Sequence, residues 1–177
     1  MATVLDSSTI ARMVSHVSEV MFGVTFTGFA PGETRGESLC SRMARLPLRG
    51  SSVEVVLSFD RAGSRALAAA FHSCPASNVN ECMIDRAITE LLKLVALQVQ
   101  ASLNIQKPLG TPRRTTLAAM AHTLSSTWSD AVHLRSDGLG DLRLWVIDGR
   151  GPAPVEGQPA RTILRGLRSL IQGLLPF

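Results

Sequence analysis

The amino-acid sequence predicts an α+β domain, a mostly antiparallel sheet packed with a long central helix. Residues 81–103 repeat apolar side chains at three- and four-residue steps over about six turns, the signature of one long amphipathic helix. Short alternating runs come in pairs across glycine-bearing turns, as antiparallel hairpins do. The 177 residues, 45% hydrophobic and 18% charged, suffice for one hydrophobic core but not for two comfortable domains.

Ile10, Met13, Val14, Val17, Val20 and Met21 share one helical face, which predicts a first helix over Ser8–Met21 with Asp6 or Ser7 as its cap and Gly23 as its stop. Val24, Phe26 and Gly28 alternate with Thr25, Thr27 and Phe29 and predict a strand. Pro31-Gly32-Glu33 is a turn. Strands over Glu37–Leu46 and Val53–Phe59 flank Arg49-Gly50-Ser51, a hairpin with a short loop.

Asp60 is placed to cap an Ala-rich helix over Arg61–Phe71, and Cys74-Pro75-Ala76-Ser77 breaks the chain. Asn80 caps the long helix. Its stripe of Met83, Ile84, Ala87, Ile88, Leu91, Leu94, Val95 and Val99 is broad enough to pack on a sheet along most of its length. Arg86, Thr89, Glu90, Lys93, Leu97 and Gln100 fall toward the opposite side. After the loop marked by Pro108, Gly110 and Pro112, Thr115–Leu124 reads as a short helix. Ala131–Arg135 and Leu142–Ile147 form a second hairpin across Asp137-Gly138-Leu139-Gly140. No internal repeat is legible.

The expected organisation is a domain over residues 1–148, a Gly- and Pro-rich linker over 149–159, and an amphipathic C-terminal helix over 160–177. That helix sets Ile163, Leu164, Leu167, Leu170 and Ile171 on one face and Arg161, Arg165 and Arg168 on another. Three readings stay open for it: docking on its own domain or a second copy, docking on another partner, or lying on an anionic membrane. Gly166, Gly173 and the small number of arginines argue against a strong membrane anchor.

Most of the formal +4 charge sits in this tail, and the body carries no basic patch interleaved with aromatic residues, so nucleic acid is not an expected partner. No stretch reaches the roughly 18 apolar residues of a membrane span, and the opening residues lack a secretory pattern, so a cytoplasmic protein is expected. Cys40, Cys74 and Cys82 are an odd set without zinc-site spacing, and the four histidines are scattered, so neither a metal nor another cofactor is expected. No nucleophile elbow and no phosphate-binding glycine loop is present.

With the long helix placed, one pattern emerges. The strand Val55-Val56-Leu57-Ser58-Phe59, the small Ala-rich helix and the run Asp85-Arg86-Ala87-Ile88-Thr89-Glu90-Leu91 together resemble the CheX-like chemotaxis phosphatases, the CheC/CheX/FliY type. Met21-Phe22-Gly23 and Leu109-Gly110-Thr111-Pro112 are similar to that family's early helix end and to its loop after the long helix, so the likeness runs from Ile10 to Ile147. The resemblance implies an exposed helix face bearing Glu-x-x-Asn with a glycine four residues on. There the acid grips a lysine of a phosphorylated response regulator, and the amide aligns the attacking water. It also implies a homodimer formed by joined sheets.

Matched residue by residue, the acid falls on Glu90, the amide on Lys93 and the glycine on Leu97. A charged lysine has three donors and no acceptor, so it cannot orient water as an amide does. The resemblance thus implies a catalytically degenerate protein that binds a signalling partner, a response-regulator receiver for example, through Arg86, Thr89, Glu90, Lys93, Leu97 and Gln100. Two other functions remain open. One is an aspartyl-phosphate phosphatase using catalytic Glu90 with Gln100 or Thr89 in place of the amide; the other is a scaffold acting through Arg161, Arg165 and Arg168. The plainest reading of the same helix face is a solvated charge ladder, each pair worth about 0.2–0.5 kcal/mol.

Overall fold

The computed structural model describes residues 7–28, 42–116, 118–120, 123, 128–136 and 140–148. The turn at Pro31-Gly32-Glu33, the start of the strand predicted from Glu37, the turn residues Asp137-Gly138-Leu139, the linker and the C-terminal helix lie outside them.

The first helix, α1, spans Ser7–Phe22 and ends at Gly23, whose φ of 65° suits a residue without Cβ. Ile10, Val14 and Val17 are its buried face. The strand expected around Val24–Phe29 is shorter in its described part: β1 is Thr27–Gly28, while Val24 and Phe26 are buried without ladder pairing. Next come β2 (Arg42–Pro47) and β3 (Val53–Phe59), antiparallel from Arg42↔Phe59 to Pro47↔Glu54. Their loop turns at Gly50 (φ 73°) and is closed by the Leu48 amide on the Val53 carbonyl, 2.9 Å.

Helix α2 spans Arg61–Phe71 with Asp60 as its cap, as the sequence predicts; the Asp60 carboxylate accepts from the Gly63 amide. A 3₁₀ turn at Ala76–Asn78 leads to α3, Glu81–Ser102, where the Asn80 side chain accepts from the Met83 amide at 3.0 Å. Asn104, at φ 53°, turns the chain out of the helix in the left-handed conformation that asparagine tolerates. The sheet resumes with β4 (Arg113–Thr115), β5 (Trp128–Ser136) and β6 (Gly140–Asp148). Part of the helix expected over Thr115–Leu124 is therefore strand: residues 118–120 and 123 are helical, but Thr115 pairs with Met43 on β2. The second hairpin is longer than its alternation predicts, pairing Trp128↔Asp148 through Ser136↔Gly140.

The strands form one antiparallel sheet in the order β1-β5-β6-β3-β2-β4. Exchanging β1 with β4, β2 with β5 and β3 with β6 reverses this order onto itself. Among the described residues the chain thus repeats a helix-and-three-strand topology, α1β1β2β3 and α3β4β5β6, with α2 between them. The repeat was not legible as sequence identity, yet its helices match in kind. Buried Ile10, Val14 and Val17 of α1 have the same spacing as buried Ile84, Ile88 and Leu91 of α3, with Arg12 and Arg86 exposed between them.

Helix α3 packs on β2 and β3 and touches α1 and α2. Its buried set extends beyond the predicted stripe, because Leu92 and Ala96 are also fully buried. The core on this face includes Ala44, Leu46, Val55, Leu57, Phe59, Leu142 and Leu144 from the strands. On the other face Met43, Val56, Met120, Trp145 and Ile147 form a smaller cluster.

The chain after α3 is fixed to the sheet at Gly110. Its amide donates to the Pro47 carbonyl at 2.9 Å, and a Cβ there would sit 2.5 Å from that oxygen. The contact delivers the next residues to the outer edge of β2 as strand β4. Gly110→Ala is expected to lower stability by about 1–3 kcal/mol, the cost of forcing backbone apart in a packed region. Asn80→Ala is expected to lower it by about 1 kcal/mol through loss of the cap. Urea unfolding followed by circular dichroism measures both, and a loss below a few tenths of a kcal/mol for either would contradict its assigned role.

Candidate functional site

Burial on three sides leaves α3 a narrow solvent-facing ribbon. Successive residues turn by about 100°, so Arg86, Glu90, Lys93 and Leu97 fall close to one line along the helix. Arg86 and Leu97 are exposed, and Thr89, Glu90 and Lys93 are half-buried. The Lys93 ammonium donates to the Glu90 carboxylate at 2.9 Å, an i,i+3 pair whose side chains keep 41% and 38% of their surface in water respectively. An ion pair that exposed contributes little to stability. One turn further, Leu97 stands 48% exposed, one of three large apolar side chains so placed among the described residues. The others are Val20 and Met21 at the end of α1.

Gln100 does not belong to this face, contrary to the expectation from helical spacing. It is buried, and its side-chain amide donates to the Lys107 carbonyl. Helical phase alone puts it on the ribbon; the chain leaving α3 folds back over it, as the Ile105 amide on the Gln100 carbonyl shows (3.0 Å). With its donor engaged and its surface covered, Gln100 cannot stand in for a water-positioning amide. Thr89 remains at the border of the ribbon. Arg161, Arg165 and Arg168 lie outside the described residues.

A second feature was missed by sequence reasoning. A cleft of about 370 Å³ opens between the N-terminal half of α3 and the edge formed by β2 and β4. Arg42, Asp85, Thr89, Arg113 and Arg114 are among its polar lining, and Ala44 and Ile88 among its apolar lining. Arg42 is paired with Glu81 and Arg114 with Asp85, so two arginines of the strands face two acids one helical turn apart. Glu81 and Asp85 at i,i+4, and the doublet Arg113-Arg114, were visible separately. Nothing in the sequence joins them, because their meeting depends on β4 pairing with β2.

Among the described residues no three His, Cys, Asp or Glu side chains come together as a metal site, and no helix is long and apolar enough to cross a membrane. Cys74 and Cys82 are free thiols, Cys82 exposed.

No protein-family model matches the sequence, and no curated protein matches it. Solved structures do match. CheX in the CheX–CheY–BeF3–Mg2+ complex of Borrelia burgdorferi aligns with a TM-score of 0.59 at 13% identity, covering 81% of this chain and 98% of that one. CheX of Vibrio vulnificus aligns at 0.58 with 12% identity over 78% and 92% of the two chains. The middle domain of FliM from Vibrio alginolyticus aligns at 0.52 with 14% identity over 91% and 94%. This chain therefore shares its fold with solved structures of CheX and CheC-like chemotaxis proteins.

Proposed function

We propose that the chain is a catalytically degenerate signalling protein of the chemotaxis type, which docks a response-regulator receiver on the α3 ribbon of Arg86, Thr89, Glu90, Lys93 and Leu97. The observation that carries this reading is the Glu90–Lys93 pair, held at 2.9 Å on an exposed face that ends in an exposed leucine. Support for the partner class comes from the fold likeness to a CheX structure solved together with CheY. On this reading Lys93 has two effects. It removes the acceptor needed to hold a hydrolytic water, and its ammonium engages the carboxylate that would otherwise meet a partner's lysine.

Docking does not require that chemistry. Leu97 offers an apolar contact surrounded by polar groups, the arrangement found at the centre of small interfaces. The charges around it steer the encounter more than they hold the complex. A competing reading, an aspartyl-phosphate phosphatase built on Glu90, needs a group that can accept from water and donate to the phosphoryl oxygens. Thr89 is the remaining candidate beside it, since Gln100 is buried.

The test uses receiver proteins in their BeF3-activated form with Mg2+, titrated with the full chain in a fluorescence or calorimetric assay. Saturable binding is expected, weakened by about tenfold in Leu97→Asp, which places a charge at the apolar contact. Lys93→Ala is expected to change folding stability by less than about 0.5 kcal/mol while altering binding, because an exposed pair serves contact better than stability. No acceleration of receiver dephosphorylation is expected from the wild-type chain. Glu90-dependent turnover would establish the phosphatase reading in its place. The double variant Lys93→Asn, Leu97→Gly restores the motif, and gain of turnover by that variant alone would support loss of chemistry at these two positions.

A further inference from the structure

The cleft beside α3 lies outside the docking ribbon except at Thr89, and the docking reading gives it no role. Its lining combines two kinds of group. Arg42 and Arg114 come from adjacent strands, and register explains why both face the helix. Arg42 pairs with Phe59, and Arg114 with Ala44, while Phe59 and Ala44 both belong to the core on the helix side. Alternation along β4 turns the neighbouring Arg113 toward the opposite face, since it pairs with Arg45, whose neighbour Met43 belongs to the other cluster, although Arg113 also borders the cleft. Charged and hydroxyl groups therefore converge on one side, next to the apolar surface of Ile88 and Ala44.

The two acids position the arginines without using them up. Each guanidinium has five N–H donors, and one carboxylate engages at most two of them well. Glu81 and Asp85 hold Arg42 and Arg114 at the cleft, leaving donors on each for a further anion. The side chains keep 30% (Arg42) and 65% (Arg114) of their surface, so both ion pairs are exposed enough to yield to a better-placed ligand. The volume of about 370 Å³ lies within the range of small-molecule sites, roughly 300–1,000 Å³. An anion alone would leave the apolar lining without a counterpart.

We propose that the cleft between α3 and the β2–β4 edge binds a small organic phosphate, its phosphate gripped by Arg42 and Arg114 and its less polar body laid against Ile88 and Ala44. Arginine forks match phosphate oxygens in pairs, which a lysine or a diffuse basic surface does not. The site needs the fold for its assembly: β4 must be paired with β2, so the Gly110 contact is a condition of binding.

Adenosine 5′-monophosphate is the probe, titrated into the full chain at low ionic strength with calorimetry or ligand-observed NMR. Saturable binding is expected. Arg114→Ala should weaken it by about tenfold, as loss of a charge-assisted bidentate contact does. Asp85→Asn should tighten it several-fold by freeing Arg114. Arg45→Ala removes the same unit of charge on the opposite face of β2, outside the cleft lining, and should leave the affinity within about twofold. Failure to bind the probe at about 10 mM would overturn the proposal. Equal losses in the Arg45 and Arg114 variants would overturn it too, since they would reveal only a diffuse field. Weaker binding by Asp85→Asn would overturn it as well. None of these results bears on receiver docking at the ribbon.

Discussion

Burial of α3 against the sheet governs the rest of the structure. The helix is covered by β2 and β3 beneath and touched by α1 and α2, so nine of its residues are buried, from Ile84 to Gln100. Full burial of each large apolar side chain contributes about 1.5–3 kcal/mol, and this helix supplies Ile84, Ile88, Leu91, Leu92, Val95 and Val99. What remains in water is the ribbon from Arg86 to Leu97, the N-terminal turn with Glu81 and Asp85 beside the cleft, and a few positions near the C-terminal end such as Gln98. Substitutions on such exposed positions cost the fold little.

The same packing explains which parts of the molecule were legible in the sequence. Helices α2 and α3 and their caps were read correctly because their causes are local: Asp60 and Asn80 each sit one residue before an apolar repeat, and each side chain accepts from the amide three residues on. The ribbon was legible for the same reason, except at its end. Gln100 has the right helical phase, but whether a phase is exposed depends on what the following chain does, and that is set by the turn at Asn104 and the anchor at Gly110. β4 was missed by a similar failure, with Arg113 and Arg114 left in the loop and Thr115 at the start of the expected helix. Arg113–Thr115 carry no strand pattern of their own, and become a strand because Gly110 brings them to the free edge of β2.

The internal two-fold was hidden for a different reason. The symmetry resides in strand order and helix placement, and packing constrains those through hydrophobic spacing more than through residue identity. Ile10, Val14 and Val17 match Ile84, Ile88 and Leu91 in burial, while among the solvent-facing positions Arg12 matches Arg86 but Glu19 occupies the position of Lys93 and Gly23 that of Leu97. Positions that only need to be apolar keep the repeat more faithfully than those that meet solvent.

Glu90 and Lys93 illustrate how a small change alters what such a face can do. With an amide at 93, the carboxylate of Glu90 would have no positive neighbour one turn away toward the C-terminus and would be free for an external cation. With lysine there, the carboxylate already has a partner at 2.9 Å, and an incoming lysine must displace it or share it. The pair is exposed, so displacement costs little, of the order of the 0.2–1 kcal/mol typical for surface ion pairs. On the docking reading a partner's lysine can therefore still be recognised, with only slight weakening. Lys93 itself cannot orient a hydrolytic water, which needs an acceptor fixed within hydrogen-bond reach, and an ammonium offers none in any rotamer. A lysine at this position thus separates two properties that an amide there would let one helix face carry together, and on the docking reading binding is the property retained.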